Sequence, residues 1–373
     1  MCDIRDQDNK ESGMGTKIVP VSEAVGTILS HDITEIRPGE FKGRAFKKGH
    51  IVREEDVPHL QRLGKENLYI LEIKEDEMHE NDAAYAIANA LKGPGVKFKG
   101  EPNEGKINLV AEKDGLLKVN HEVLLDFNML GEVACATVHN NSVVKKDQLL
   151  AGTRAIPLVV KKSIVEEAVK IAETAKGVLS VTEIKKPKAG IVITGNEVYH
   201  GKIKDAFEPV ITKKIKKLDG EIIGVHFAPD DAEFIENKIR ELIDAGADLI
   251  ITTGGMSVDP DDVTRFAIRN LGVEDLFYGS PVLPGSMFLV AYISAEAGKR
   301  GSAEVEKTES SGLIPILGIP ACGMYSSITV FDLILPRVLA GERIGRKEIA
   351  ELGHGGLCLK CETCRYPVCP FGK

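Results

Sequence analysis

The spacing of apolar and polar positions changes character along this chain. Residues 17–77 mix short elements. VSEAVGTILSHDI carries apolar residues at helical and strand spacings alike, and GEFKGRAFKKGHIV is rich in turn residues. EEDVPHLQRLG reads as a short helix closed by Gly64, and YILEI (69–73) reads as a strand. NDAAYAIANAL predicts a helix over 80–92, ended by Gly93-Pro94-Gly95. From 100 to 160 the pattern shortens into alternating runs, KINLVAE, GLLKV, ATVHNNSVV and QLLAGTRAIPLVV, separated by turns such as Lys113-Asp114-Gly115. That texture predicts a small β-rich domain. SIVEEAVKIAETA (163–175) follows as an amphipathic helix, and KKPKAG reads as a linker.

From 189 the pattern alternates regularly. The strands AGIVIT (189–194), EIIGVHFA (221–228), ADLIITT (247–253) and SMFLVAYI (286–293) are separated by helical stretches, and LIPILG (313–318) follows as a fifth strand. One helix follows Asp205. A second starts at Pro229-Asp230-Asp231, with Ile235, Ile239, Leu242 and Ile243 as its apolar stripe and Asp230 as its expected cap. A third is DDVTRFAIRNL, and the last is MYSSITVFDLILPRVLAG. SAEAGKRGSAEVEKTESS reads as an exposed loop. Strand–helix–strand repetition implies parallel strands and right-handed crossovers, hence a three-layer α/β domain with a mostly parallel sheet. The expected division is a disordered tail (1–16), a mixed α/β segment (17–92), a β-rich domain with a linking helix (93–185), the α/β domain (186–340) and a Cys-rich tail (341–373).

Composition narrows the function. A chain of 373 residues with 43% hydrophobic and 28% charged positions can bury ordinary cores in two or three domains. The net charge of −8 does not suit a large nucleic-acid footprint. The N-terminal stretch lacks the apolar core of a signal peptide, and no apolar run is long enough to span a membrane. Of the seven cysteines four crowd into residues 358–369, which is not how a disulfide framework spreads them; a cytoplasmic protein is expected.

The chemistry gathers in the loops. TGNEV (194–198), TTGGMSVDPDD (252–262) and GIPACG (318–323) each follow a strand, so a parallel sheet would bring them to its carboxyl edge. Ligands of open α/β folds bind there. Glycines let backbone N–H groups approach a phosphate. Asp259, Asp261 and Asp262 would repel a bare phosphate, and fit beside one if a divalent cation such as Mg²⁺ lies between. The bland reading of the same residues is a glycine turn and a helix cap, the latter falling to Asp261.

TGNEV, TTGGMSVDPDD, LPGSMF and GIPACG occur in the order seen in the molybdopterin-binding domain of molybdenum cofactor biosynthesis proteins, and the chain resembles a divergent relative of the long form, the molybdopterin molybdenumtransferases. The likeness covers roughly residues 186–340, with SEAVGTILSHDI resembling the long form's start. It implies that Thr194, Gly195, Asn196, Glu197, Thr253, Gly254, Gly255, Ser257, Val258, Pro284, Gly285, Gly318 and Pro320 line a site for molybdopterin or its adenylated form. It makes Asp262 the candidate Mg²⁺ ligand and catalytic residue. Asp259 stands where the family has glycine, and offers a replacement for the charge missing at Asn196, where the family has aspartate. The implied reaction is insertion of molybdate, or tungstate, into adenylated molybdopterin with release of AMP. The rival is a molybdopterin-binding carrier, sensor or chaperone without turnover, with a molybdoenzyme as partner. A nucleotide-processing hydrolase on the same domain is the third reading. The resemblance also implies a homodimer whose sites are completed by a partner's N-terminal domains.

The tail CLKCETCRYPVCP spaces Cys358, Cys361, Cys364 and Cys369 as C-x2-C-x2-C-x4-C before Pro370. Such tight spacing disfavours disulfides and points to a thiolate metal site, either an iron–sulfur cluster or zinc. Cys322 reads as a small buried residue, and His139 and His226 as structural histidines.

Overall fold

A computed structural model describes residues 16–37, 41–71, 73–175, 177–256, 259, 262–296, 298 and 312–373. Residues 1–15 of the expected N-terminal tail and most of the expected loop at 294–311 lie outside these residues, as do Ser257, Val258 and Asp261. The chain is mixed α/β and forms two compact units, one up to residue 182 apart from 141–143, the other from 141–143 and 183–373.

In the first unit the strands Val96–Asn103, Lys106–Ala111, Leu149–Ala155 and Val133–Thr137 form an antiparallel sheet in that order. The helices Glu80–Leu91 and Lys162–Glu173 cover it through Ala84, Ile87, Leu91, Val165 and Ala168, all buried. A separate small core joins Val19, Val21, Leu29, Leu60 and Leu68. One element departs from the strand-only expectation for this region: His121–Met129 is a helix. Asn120 starts it by accepting a hydrogen bond from the Val123 N–H at 3.2 Å, and Phe127, wholly buried, ties it to the core.

The second unit is built on a six-stranded sheet ordered Glu221–Ala228, Lys188–Thr194, Leu249–Thr253, Leu313–Ile319, Leu289–Ser294, Asp275–Tyr278. The first four run parallel, Leu289–Ser294 runs against them, and Asp275–Tyr278 pairs antiparallel with Leu289–Ser294. Strand residues alternate between two cores. Ile191, Ile193, Leu249, Ile251, Leu317 and Ile319 belong to one, with the helices Phe207–Lys216 and Val330–Leu339. Val192, Ile250, Ile316 and Leu289 belong to the other, with Ala232–Asp244 and Thr264–Asn270. This is why the central strands read as unbroken apolar runs: both faces are covered. Each such buried side chain contributes about 1.5–3 kcal/mol relative to exposure.

Three local readings are corrected. The long final helix is two, Cys322–Tyr325 and Val330–Leu339. Thr329 opens the second by accepting from the Phe331 N–H at 3.2 Å while its own N–H donates to Asp332 Oδ2 at 2.8 Å, a reciprocal cap that starts a new helix. The cap of Ala232–Asp244 is Asp231, which accepts from the Phe234 N–H at 2.7 Å, not Asp230. The antiparallel edge strand Asp275–Tyr278 was absent from the pattern because every residue in it is half-buried.

Candidate functional site

The candidate site is built where parallel strands end. Thr194 closes one strand and Thr253 its neighbour, with Ile193 paired to Thr253 and Thr253 to Ile319. Thr194 is buried, and its hydroxyl donates to the Thr253 carbonyl at 2.9 Å and lies 3.0 Å from the Thr264 hydroxyl. Three segments that are far apart in sequence are thus pinned by one side chain. Gly254 and Gly255 take left-handed backbone angles, φ +80° and +57°. A Cβ on Gly254 would lie 2.3 Å from the Thr194 carbonyl oxygen, and one on Gly255 2.3 Å from Thr264 Oγ1. Only glycine satisfies both the angle and the approach.

The late loops join the same framework. A Cβ on Gly318 would meet Met256 Cε at 2.4 Å, so this glycine gives the central loop its floor. Pro320 is buried. Gly285 abuts Val330, whose N–H donates to the Pro284 carbonyl at 3.3 Å. Thr194, Gly254, Gly255 and Gly318 therefore come together around the central loop, while Pro284 and Gly285 seat against the start of the Val330–Leu339 helix.

Asn196 and Glu197 are exposed on a short helical turn after Gly195. The Asn196 N–H donates to Asp230 Oδ2 at 3.0 Å, and Asn196 Oδ1 accepts from the Asp230 N–H at 3.3 Å. Asp230 is thus the partner of the first loop rather than a helix cap. Asp262 and Asp259 are mutually oriented: the Asp259 N–H donates to Asp262 Oδ2 at 3.2 Å, and the Asp262 N–H donates to the Asp259 carbonyl at 3.0 Å. Asp259 is exposed and Asp262 half-buried. The following helix begins at Thr264, and its cap position, Val263, supplies no side-chain bond.

Two groups escaped the sequence reading. Tyr278 donates its hydroxyl to the Met256 carbonyl at 2.5 Å and so steadies the central loop from the edge strand. The Arg265 guanidinium lies 4.6 Å from the Tyr278 ring centre, and its buried Nε has no partner among the described residues. A stacked cation beside a glycine loop is suited to an anion. The Thr253 hydroxyl is likewise buried without a partner among the described residues. An orphan donor of this kind at a strand end calls for an explanation, and a ligand is one. Neither contact was legible, because Tyr278 and Met256 are 22 positions apart.

Among the described residues no three His, Cys, Asp or Glu side chains are gathered around a common metal position. Mg²⁺ does not need that many, since it is commonly held by one or two carboxylates with phosphate oxygens and water, and the Asp259/Asp262 pair fits such a donor set. Elsewhere, Cys322 is half-buried and burial pushes its thiol pKa up, which argues against a reactive thiolate. His226 Nε2 lies 3.5 Å from Glu241, and burial, reinforced by Lys238, lowers its pKa. Cys358, Cys361, Cys364 and Cys369 all line one cavity of about 380 Å³. No helix among the described residues is long and apolar enough to cross a membrane.

A CinA-like protein of Mycobacterium avium (strain 104) is 40% identical over 89 residues, which is 22% of this chain and 20% of that protein. A CinA-like protein of Mycolicibacterium gilvum (strain PYR-GCK) is 37% identical over 92 residues, 23% and 22% of the two chains. The chain thus spans about one fifth of the length of these relatives. Among solved structures, the tungsten cofactor synthesizing protein MoaB from Pyrococcus furiosus aligns with 43% of this chain and 99% of its own, at 18% identity and a TM-score of 0.31. Residues 18–72 match a family described only as a domain of unknown function. Residues 190–340 match the family described as "Probable molybdopterin binding domain", and the chain carries a domain of that family.

Proposed function

We propose that the second unit, a mostly parallel sheet between two helical layers, binds molybdopterin or its adenylated form at the carboxyl edge. There it promotes insertion of molybdate or tungstate with release of AMP. The observation that carries this reading is the convergence of Thr194, Gly254-Gly255 and Thr264, which brings glycine backbone to the ends of two parallel strands. The backbone N–H groups of the glycine loop and the Arg265 guanidinium supply fixed positive dipole and charge for phosphate oxygens. Ser257 and Val258 complete the loop by resemblance. Asp262, with Asp259, would hold Mg²⁺, which neutralises phosphate charge when bound. One Asp262 oxygen accepts from the Asp259 N–H, which holds the carboxylate in the turn.

The test is direct. Pure protein is incubated with adenylated molybdopterin, Mg²⁺ and molybdate, and AMP is followed. Mg²⁺-dependent release supports the transferase reading; tight binding with no AMP sinks it.

A second reading has its own support. Asn196 carries no charge and its Oδ1 and backbone N–H are engaged with Asp230, so the first loop offers less to a cation than the family's aspartate would. That favours a molybdopterin-binding protein without turnover, handing the pterin to a molybdoenzyme. A homodimer, by resemblance, and a cytoplasmic setting, from the cysteine distribution, are part of both readings.

A further inference from the structure

The C-terminal segment is pinned to the second unit at both ends. Leu357 pairs with Leu283 as a parallel bridge, and the Cys358 N–H donates to the Leu283 carbonyl at 2.8 Å. At the far end Phe371 is 3% exposed within a sheet core, and the Gly372 N–H donates to the Gly355 carbonyl at 2.9 Å. Between these pins the chain forms neither helix nor strand. A loop closed this way has little freedom left to lose on taking up a ligand.

All four cysteines of the segment fall within that closed loop and line the same cavity. Cys358 and Cys369 are half-buried against the core, while Cys361 and Cys364 are exposed. Free cysteine is among the most buried residue types, so exposed pairs at x2 spacing are not explained by packing. Lys360, directly before Cys361, holds a left-handed φ of 50°, a conformation that a lysine takes only when the loop's path demands it. Lys360 and Arg365 line the cavity beside the sulfurs. Two cations there would offset the negative charge that four thiolates accumulate.

Two guests take four thiolates, a single zinc ion and an iron–sulfur cluster. The C-x2-C-x2-C run, with Cys369 and Pro370 following, is close to the spacing of ferredoxin-type clusters, and all four cysteines line a cavity of about 380 Å³. We propose that Cys358, Cys361, Cys364 and Cys369 bind an iron–sulfur cluster. On ligation each cysteine thiol gives up its proton and its thiolate displaces a donor thiolate from a cluster iron, the departing donor taking up that proton, so docking of a preformed cluster requires no electron transfer. This site does not depend on the pterin reading.

The full chain, purified without oxygen, tests the proposal. It is expected to be brown, to contain iron and acid-labile sulfide in comparable amounts, and to bleach with dithionite. Cys361→Ser and Cys364→Ser, both exposed positions, should each lose most of the iron and sulfide with an unchanged circular dichroism spectrum. Cys322→Ser should keep both. Colourless protein with one zinc and no sulfide overturns the proposal. So does iron content that survives both serine variants, or failure to take up colour on anaerobic reconstitution with ferric iron, sulfide and excess thiol.

Discussion

At the scale of single residues, Gly254 is the sharpest test of the site. Its left-handed angle and the Thr194 carbonyl at 2.3 Å from any Cβ leave alanine no relaxed position. Gly254→Ala should lower stability by about 1–3 kcal/mol, the usual cost of forcing such a backbone. A shifted midpoint in denaturant, with unchanged slope, would register it; a wild-type midpoint means the loop is not held as described. Asp262 calls for two substitutions, since its carboxylate both closes a turn and is the candidate Mg²⁺ ligand. Asn keeps an acceptor for the Asp259 N–H but loses the charge; Ala loses both. If the charge acts on a phosphoanhydride, Asp262→Asn should slow AMP release by about 100-fold, the scale of removing one charge-stabilising group. Its melting temperature should stay near wild type. Equal slowing of release and loss of stability in both variants would leave the residue a structural role only.

At the scale of elements, the first unit contains a cap that titrates. His79 precedes the helix Glu80–Leu91 and is 2% exposed. Its Nδ1 accepts from the Asn81 N–H at 3.0 Å and faces Lys48 Nζ, and its Nε2–H donates to the Ser30 carbonyl at 3.0 Å. Burial holds its pKa below the usual histidine range; the Ser30 carbonyl opposes this and the Lys48 charge adds to it. A proton on Nδ1 would remove the cap and confront Lys48. The folded pKa is below the unfolded one, so the unfolded chain binds more protons as acid is added. The stabilisation is therefore full above about pH 6.5 and is lost as pH falls toward the folded value. His79→Asn retains a capping oxygen without the titration. Its unfolding free energy should vary less between about pH 5 and 7 than that of the parent; an unchanged slope would assign the acid sensitivity elsewhere, to His31 for example, whose pKa burial also lowers. The elements themselves differed in how readily they could be read. Strands with both faces covered, such as Lys188–Thr194, were plain from their apolar runs. The helix His121–Met129 was not, because it lies among alternating strands and buries fully only Phe127. The break at Thr329 was missed because Thr329 and Asp332 interrupt an apolar pattern without disturbing its period.

At the scale of the whole molecule, the loops that could be named from sequence were the ones whose composition is unusual, and what holds them together was not. TTGGMSVDPDD announced itself through its glycines and aspartates, whereas the Thr194–Thr264 contact joins residues 70 positions apart and exists only once the sheet is closed. The described part of that framework lies wholly in the second unit, which has an apolar core on each face of its sheet. A fragment of residues 183–373 is therefore expected to fold and to bind molybdopterin about as tightly as the full chain, since its glycine loop, Thr264 and Arg265 are all retained. Turnover is a different demand. If the site is completed by N-terminal segments of a second copy, as the resemblance to the long form implies, the fragment should bind without releasing AMP, and adding the slow full-length Asp262→Asn protein should raise release well above that of Asp262→Asn alone through mixed dimers. Calorimetry of binding and an AMP assay on the same preparations separate the two demands. Full-rate release by the fragment alone would show that the second unit is self-sufficient, and would assign residues 18–72 a purpose apart from this reaction.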